Sequence, residues 1–514
     1  NAIAAALAPH GGILVYRAFV YNHHLDWRDP KKDRARAAYD NFASLDGRFH
    51  DNVVIQIKNG PIDFQVREPV SPLIAALHHT NQALELQITQ EYTGQQRQLC
   101  FLLPMWRQTT DFDLHASDRA TPVKAIVSGK TFDRPLGGFV GVADVGRDAN
   151  WMGSDLAMAN LYAFGRLAWN PNESPASVID EWTRLTFGHD PEVVATITAL
   201  QLQSWPVYEQ YTGPLGAGGL TDITGSHYGP GIESSERNGW GQWHRADAEG
   251  IGMDRTAATG TGFIAQYPPT IARLYESLAT CPDNLLLFMH HVRYKYVLHS
   301  GETVIQHIYD SHYAGASAAA TYPERWSKLR GKVDETRYAE ALNMLRYQAG
   351  YAIVWRDAVC NWFYRESGIA DARGRVGHHP DRIEAESMTL EGYKPEAVKP
   401  WEDASGGTAI SCPADECTAR LVFHRPPGWY RIKTQYFDLT TGSSEFSIRL
   451  NGEEIDRWSA NDPVPHERSF ADASTRQTSA RVPLRDGDEI RITGKPDGSE
   501  RAMLDYIELE PCAP

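Results

Sequence analysis

The chain has 514 residues, with 65 acidic side chains against 50 Lys and Arg, a formal net charge of −15. That length exceeds one ordinary domain and suits two or three, and the charge argues against a general nucleic-acid or anionic-membrane binder. No apolar run approaches the length that spans a bilayer, while 14 Trp and 23 Tyr are more than a core requires; exposed aromatics serve flat sugar faces, although they are also ordinary core residues.

Asn1 to Leu7 reads as the tail of a helix, stopped by Pro9 and Gly11-Gly12, so the chain reads as cut from a longer one. Ile13 to Tyr21 is an apolar strand that ends at His23, His24 and Asp26, and residues 30–44 form a helix with Ala35, Ala38, Tyr39 and Phe42 on one face. The β-branched run Val53, Val54, Ile55 and Ile57 suits a buried strand. Gly60-Pro61 breaks it just before Asp63. A short helical piece follows around Leu73 to His79. Leu84, Leu86 and Ile88 then alternate with polar residues, the period of a strand, and that run ends at Glu91. Gly138 to Asp144 is a fourth strand.

Parallel strands joined by helices put their C-terminal ends on one rim, where the chemistry of α/β barrels sits. Asp63 and Glu91 would then be neighbouring carboxylates at a catalytic mouth, with Lys58 and Asn59 beside the first. The same pattern is met by solvated loop residues and helix caps. Four strand–helix units are half of the eight a closed barrel needs. The expected fold is therefore α/β: the C-terminal half of a (β/α)8 barrel over residues 1–150, then a helical domain over 151–370, a linker over 371–381 and an all-β sandwich over 382–514.

In the helical part, Ser174-Pro175 and Asp190-Pro191 read as cap-plus-proline starts. Helices are expected over 269–280, 284–298, 303–328 and 334–366. Between them, 215–261 is Gly-rich and irregular and carries Trp240, Trp243, Arg245 and Asp254, as a folded lid or a structural plug would. Beyond 381 the period becomes 2, with strands over 421–424, 430–436, 446–450, 489–493 and 504–509. Asn451-Gly452 and Asp486-Gly487 are hairpin turns. Cys412 and Cys417 are close enough to pair across a short loop, though connectivity is not readable from sequence. The adjacent His pairs 23–24, 78–79, 290–291 and 378–379 make poor metal sites, because neighbouring side chains point apart.

Tyr16-Arg-Ala-Phe-Val-Tyr21, Asp33-Arg-Ala-Arg-Ala-Ala-Tyr39, Lys58-Asn-Gly-Pro-Ile-Asp-Phe-Gln65 and Gln87-Ile-Thr-Gln-Glu-Tyr-Thr-Gly-Gln-Gln96 resemble the second half of the catalytic barrel of glycoside hydrolase family 67, the α-glucuronidases. Segments 151–169, 239–256 and 304–313 resemble that family's helical domain. The resemblance implies inverting removal of glucuronic acid, or its 4-O-methyl ether, from xylo-oligosaccharides, with no catalytic cofactor. It implies Asp63 and Glu91 as the general-base pair, and Arg17 and Lys58 as the basic residues that hold the uronate carboxylate. Trp240 and Arg245 match the wall that closes over the sugar, and a packed lid would use them equally well. In that family the general acid lies just upstream of the motif containing Arg17. The resemblance therefore implies a truncated enzyme, inactive by itself, and a homodimer through the helical domain.

Arg382-Ile-Glu-Ala-Glu386 and Leu504-Asp-Tyr-Ile-Glu508 resemble the opening and closing strands of carbohydrate-binding modules of the family 6 and 35 type. There Glu384, Glu386 and Asp505 would bring hard oxygen ligands to a structural calcium; solvated acidic residues on strand edges read the same way. A sugar-binding appendage and a Cys412–Cys417 pair favour a secreted or periplasmic protein. Two other readings compete: a chain that only binds carbohydrate through the sandwich, and a retaining glycosidase with Asp63 or Glu91 as nucleophile. The second needs an acid about 5 Å across the site, whereas adjacent strand ends leave both carboxylates on one side.

Overall fold

A computed structural model describes the chain except for residues 21–25, 27, 28, 30, 63, 65, 149, 219, 222–226, 233–244, 399–403 and 463–472. Two compact units emerge, the first comprising 1–220 and 235–346 and the second 221–234 and 347–514. This division differs from the expected domain limits. The helix Glu335–Ser367 runs through the boundary, and its last turns count with the sandwich.

The first unit is built on four strands in sequential order: β1 (Leu14–Arg17), β2 (Val53–Lys58), β3 (Asn81–Gln87) and β4 (Gly138–Val142). All three pairings are parallel, with Arg17 opposite Gln56, Lys58 opposite Glu85 and Gln87 opposite Val142. The half-barrel sheet expected from the sequence is therefore present, with its C-terminal ends on one rim. The β-branched run of β2 is buried on both faces, as in a parallel sheet covered on both sides. Apolar and polar residues alternate in β3, yet both of its faces are enclosed, so Gln82 and Glu85 are buried with Leu84 and Leu86.

Helices Pro175–Phe187 and Pro191–Thr212 begin where the caps were read. Ser174 Oγ accepts from Ser177 N at 3.1 Å, and Asp190 Oδ1 accepts from Glu192 N and Val193 N at 2.9 and 3.1 Å. These bonds satisfy amide groups that a helix start leaves open. Three helical segments are shorter or tighter than expected. Within 284–298 the regular α-helix is only the turn Leu286–Met289; His290 is then extended, and Val292–Arg293 pairs with Gly250–Ile251. A short apolar run does not separate helix from strand, and a distant partner decided it. Within 30–44 the α-helix is Ala37–Phe42, preceded by a 3-10 turn over Arg34–Arg36 that Asp33 caps. Likewise the piece near Leu73 is a 3-10 turn, Pro72–Ala75. Among the described residues no helix is long and apolar enough to cross a membrane.

In the second unit, the segment read as a linker opens with a bonded turn. Asp371 is buried and accepts from the Arg375 side chain at 2.8 and 3.0 Å and from Arg375 N at 2.8 Å. A seven-stranded and a five-stranded sheet follow among the described residues. Their apolar sides meet through Ile410, Ile432, Phe446, Ile448, Ile492 and Leu504, the inner layer of a sandwich. Cys412 and Cys417 form a disulfide with Cα atoms 5.6 Å apart. Asn451 and Gly452 both have positive φ, 51° and 88°, as a two-residue hairpin turn with right-handed strand twist requires.

Candidate active site

The rim of the half-barrel gathers charge. Arg17, at the end of β1, donates to the Glu85 carboxylate through Nε at 2.7 and 3.0 Å and through Nη2 at 2.5 Å. Glu85 is fully buried and also accepts from Gln56 Nε2 on the intervening strand. A charge withdrawn from water needs such a partner. The Arg17 side chain keeps 40% of its surface exposed. Lys58, at the end of β2, is buried. Its Nζ stands 4.0 Å from the centre of the Phe19 ring and 4.8 Å from that of Phe64, while the Arg17 guanidinium lies 4.6 Å from the same Phe19 ring. The two basic residues singled out from the sequence thus meet around one aromatic ring, an arrangement favoured by the ring quadrupole.

The loops that leave β2 and β3 are tied together. Gln90 Nε2, one residue before Glu91, donates to Phe64 O at 2.9 Å. Phe64 holds a left-handed backbone, φ 55°, a strained conformation for a bulky residue of the kind that tertiary structure must enforce. Glu68 helps to do so: its carboxylate accepts from Ile62 N at 2.8 Å. Gly60 leaves room for it, since a Cβ there would lie 2.2 Å from Glu68 Oε2. Glu91 opens a 3-10 turn, Glu91–Thr93, closed by left-handed Gly94. Helix Pro191–Thr212 supports both loops: Trp205 Nε1 donates to Val66 O at 3.0 Å, and Tyr208 Oη donates to Tyr92 O. Asp63 and Trp240 lie outside the described residues; the neighbours of Asp63 are the tethered segment just described.

Arg245 is placed against the loop after β1, donating to Asp29 O at 3.4 Å. The same loop is held to 254–266 by a buried pair that the sequence did not disclose. Arg255 donates to both oxygens of Asp33, at 2.8 and 3.2 Å, with side-chain exposures of 0% and 1%. Its remaining Nη1 reaches Phe288 O at 2.5 Å, and Asp33 also accepts from Thr261 Oγ1 at 2.9 Å. Lys31, Arg36 and Asp40 add contacts to Gly260 O, Thr261 O and Gln266 Nε2 at 2.7–2.9 Å. The segment that follows the Trp240 stretch is therefore anchored on the barrel rim. Of the residues missed from sequence, only Glu85 had a local signal, a carboxylate inside an apolar strand.

In the second unit, Ser405 draws two of the three singled-out carboxylates together. Ser405 N donates to Asp505 at 3.0 and 3.2 Å, and Ser405 Oγ donates to Glu384 Oε1 at 2.8 Å. Burial pushes the Asp505 carboxyl well above the usual range, and the neighbouring Glu384 pushes it further; burial likewise raises Glu384 and Glu386. Glu384 Oε2 and Glu386 Oε2 are buried without a hydrogen-bond partner. Close by, Arg382 lies 3.9 Å from the centre of the Tyr506 ring and pairs with Asp357 at 2.5 Å and Glu508 at 3.2 Å. No trio of His, Cys, Asp or Glu among the described residues stands in metal-holding geometry as the side chains are placed. The rings of His78, His290 and His291 instead meet backbone carbonyls.

Residues 1–151 match the model of the glycosyl hydrolase family 67 middle domain, and residues 152–376 match that of the family 67 C-terminus. Proteins named "Probable alpha-glucuronidase A" from Aspergillus flavus and Aspergillus terreus are each 50% identical over 99% of this chain, and that from Aspergillus niger is 49% identical over the same share. The chain spans 62% of the length of these relatives. Family 35 carbohydrate-binding modules from Clostridium thermocellum and Paenibacillus barcinonensis are 13% and 17% identical, each covering 26% of this chain and 98% of the module, with TM-scores of 0.21.

Replacing Asp33 by Ala leaves a fully buried guanidinium without its counterion. Loss of one member of such a pair costs about 3–5 kcal/mol. Urea unfolding followed by Trp fluorescence should show a loss of that order, and a loss under 1 kcal/mol would mean that Arg255 finds another partner.

Proposed function

The chain belongs to glycosyl hydrolase family 67, and from that membership we propose that it carries the base-bearing half of an inverting α-glucuronidase, acting on glucuronic acid or its 4-O-methyl ether linked to xylo-oligosaccharides. The observation that carries the proposal is the convergence of Lys58 and Arg17 on the Phe19 ring, at the rim where the tethered loops of Asp63 and Glu91 emerge. A uronate carboxylate entering that mouth meets cations already stripped of much of their water. Ion pairing there is stronger than in bulk solvent. Glu85 orients Arg17, whose side chain stays 40% exposed at the end of β1.

With the uronate held by its carboxylate, the anomeric carbon faces Asp63 and Glu91. Two neighbouring carboxylates repel, which raises the proton affinity of one and suits it to deprotonate a bound water. That water attacks the anomeric carbon as the glycosidic bond to the xylose oxygen breaks. Inversion requires the leaving oxygen to take a proton from an acid on the opposite face, roughly 6.5–9.5 Å from the base. Family resemblance assigns that acid upstream of the motif containing Arg17. Arg245, tied to Asp29, belongs to the wall that closes over the sugar.

The test joins the acid-bearing upstream segment of an α-glucuronidase relative to this chain and follows 4-O-methylglucuronic acid release from a short aldouronic acid. Turnover is expected. Asp63→Asn should lower it by roughly 100-fold or more, the scale of general-base catalysis, with uronate binding retained. Lys58→Ala should instead weaken binding of the charged sugar. Unchanged turnover in the first variant, or unchanged affinity in the second, removes that residue from its role.

We also propose that the protein is a homodimer through its helical part. The support is apolar surface there: Trp169 is 84% exposed and Leu185 71%. Sedimentation as two chains is expected, and sedimentation as a single chain at micromolar concentration would remove the proposal.

In the sandwich, Glu384, Glu386 and Asp505 are proposed to hold a structural calcium, whose preference is for hard oxygen ligands. The two buried carboxylate oxygens without partners fit that role, although the side chains would have to close on the ion. Carboxyls with raised folded-state pKa values destabilise the fold when ionised at neutral pH, and stability returns as they protonate in acid. A bound cation would offset the same cost without acid. Calcium at about a hundred times its dissociation constant should add about 2.7 kcal/mol, seen as a higher melting temperature that Asp505→Ala abolishes. No shift with millimolar calcium would count against the site.

A further inference from the structure

The five-stranded sheet of the sandwich carries an unusual row on its outer face. Its apolar side points inward through Ala419, Phe446, Ile448, Ile490 and Ile492. On the opposite side, Arg449 stands directly across from Arg491, and Arg491 directly across from Arg420, on three neighbouring strands. Like charges set opposite one another disfavour strand pairing. The next row is Ser447, Thr493 and Thr418, and the row after it sets Glu445 against Lys495. Alternation along each strand keeps these three rows on one face.

Together they shape an open groove of about 500 Å³. Four cations line it, Arg449, Arg457, Arg491 and Lys495, against two carboxylates, Glu416 and Glu445. All four cations are well exposed, and each meets a local carboxylate, Lys495 with Glu416 at 3.3 Å and Arg457 with Glu445 at 3.7 Å among them. Arg457 takes the near contact with Glu454 at 2.6 Å, leaving Arg449 at 3.9 Å, the limit of an ion pair. Glu489 is shared between Arg491 at 3.0 Å and Arg420 at 3.2 Å. Exposed ion pairs of this kind contribute about 0–1 kcal/mol each, too little to account for a row of three arginines on a chain of net charge −15.

We infer that this groove binds a carboxylate-bearing polysaccharide, a uronate-substituted xylan. The choice of sugar rests on the function proposed above. Guanidinium groups pair with carboxylates in two-point fashion. The hydroxyls of Ser447, Thr493 and Thr418, with the Glu416 and Glu445 carboxylates at the groove's end, accept the hydroxyl groups of the neutral sugars between the charges. A phosphate polymer carries charge at every unit and would meet those two carboxylates repeatedly. A sparsely charged, hydroxyl-rich chain fits both halves of the lining.

The test is electrophoresis of the whole 514-residue chain in native gels containing glucuronoxylan, the same polymer after reduction of its carboxyl groups, or duplex DNA. Retardation by glucuronoxylan is expected, at least fivefold weaker in the reduced polymer and absent with DNA. Arg449→Gln with Arg491→Gln should weaken retardation at least tenfold, and Arg449→Gln alone at least threefold, with the melting temperature unchanged. Lys58→Ala removes the barrel rim's share of uronate binding, and the groove variants should weaken retardation by the same factors in that background. Equal retardation by the reduced polymer or by DNA would overturn the inference, as would no retardation in any gel. Loss of retardation in Lys58→Ala but not in the groove variants would also overturn it, while leaving the glucuronidase reading intact. Failure of uronate release in the earlier assay would strike the barrel reading instead, since that assay does not involve the groove.

Discussion

A charge taken out of water must find its counterion, and this protein is organised around three places where it does. Arg17 meets Glu85 across two strands, Arg255 meets Asp33 across 222 residues, and Arg382 meets Asp357 and Glu508. A buried pair adds little net stability compared with apolar residues, yet losing one partner is severe. Such pairs therefore act mainly by specifying which segments come together. In the first unit they align the loop after β1 with segment 254–266 and hold Arg17, at the end of β1, against β3.

The same physics links structure to the proposed chemistry. Lys58 is buried beside Phe19 and Phe64, and Arg17 shares the first of those rings. A site that keeps two cations in a partly dry, aromatic mouth is suited to a ligand that brings its own carboxylate. The strained backbone of Phe64 and the bond from Gln90 fix the two loops from which Asp63 and Glu91 arise. Such bonds fix these rim segments before any ligand arrives.

The sandwich handles charge differently. Its carboxylates at 384, 386 and 505 are enclosed with raised proton affinity, a state that acid or a cation would relieve. Its outer five-stranded face instead spreads cations and carboxylates over an exposed groove, where each pair is weak and available for exchange. One set of charges is therefore suited to holding a fold together and the other to meeting a ligand.

Local sequence alone determined the strand positions, through β-branched runs such as Val53–Ile57, and the starts of two helices, through Ser174-Pro175 and Asp190-Pro191. It also determined the Asn451-Gly452 turn, because these signals act over a few residues of backbone. Motif resemblance added Arg17, Lys58 and Glu91, and the rim places the first two together. Tertiary structure alone decided that Leu286–Met289 stops short and yields to a strand pair, that β3 is buried on both faces, and that Asp33 pairs with Arg255. It alone set Arg420, Arg449 and Arg491 in one row. Each of these depends on a partner far away in the chain, and periodicity and spacing carry no information about which distant surface a residue will meet.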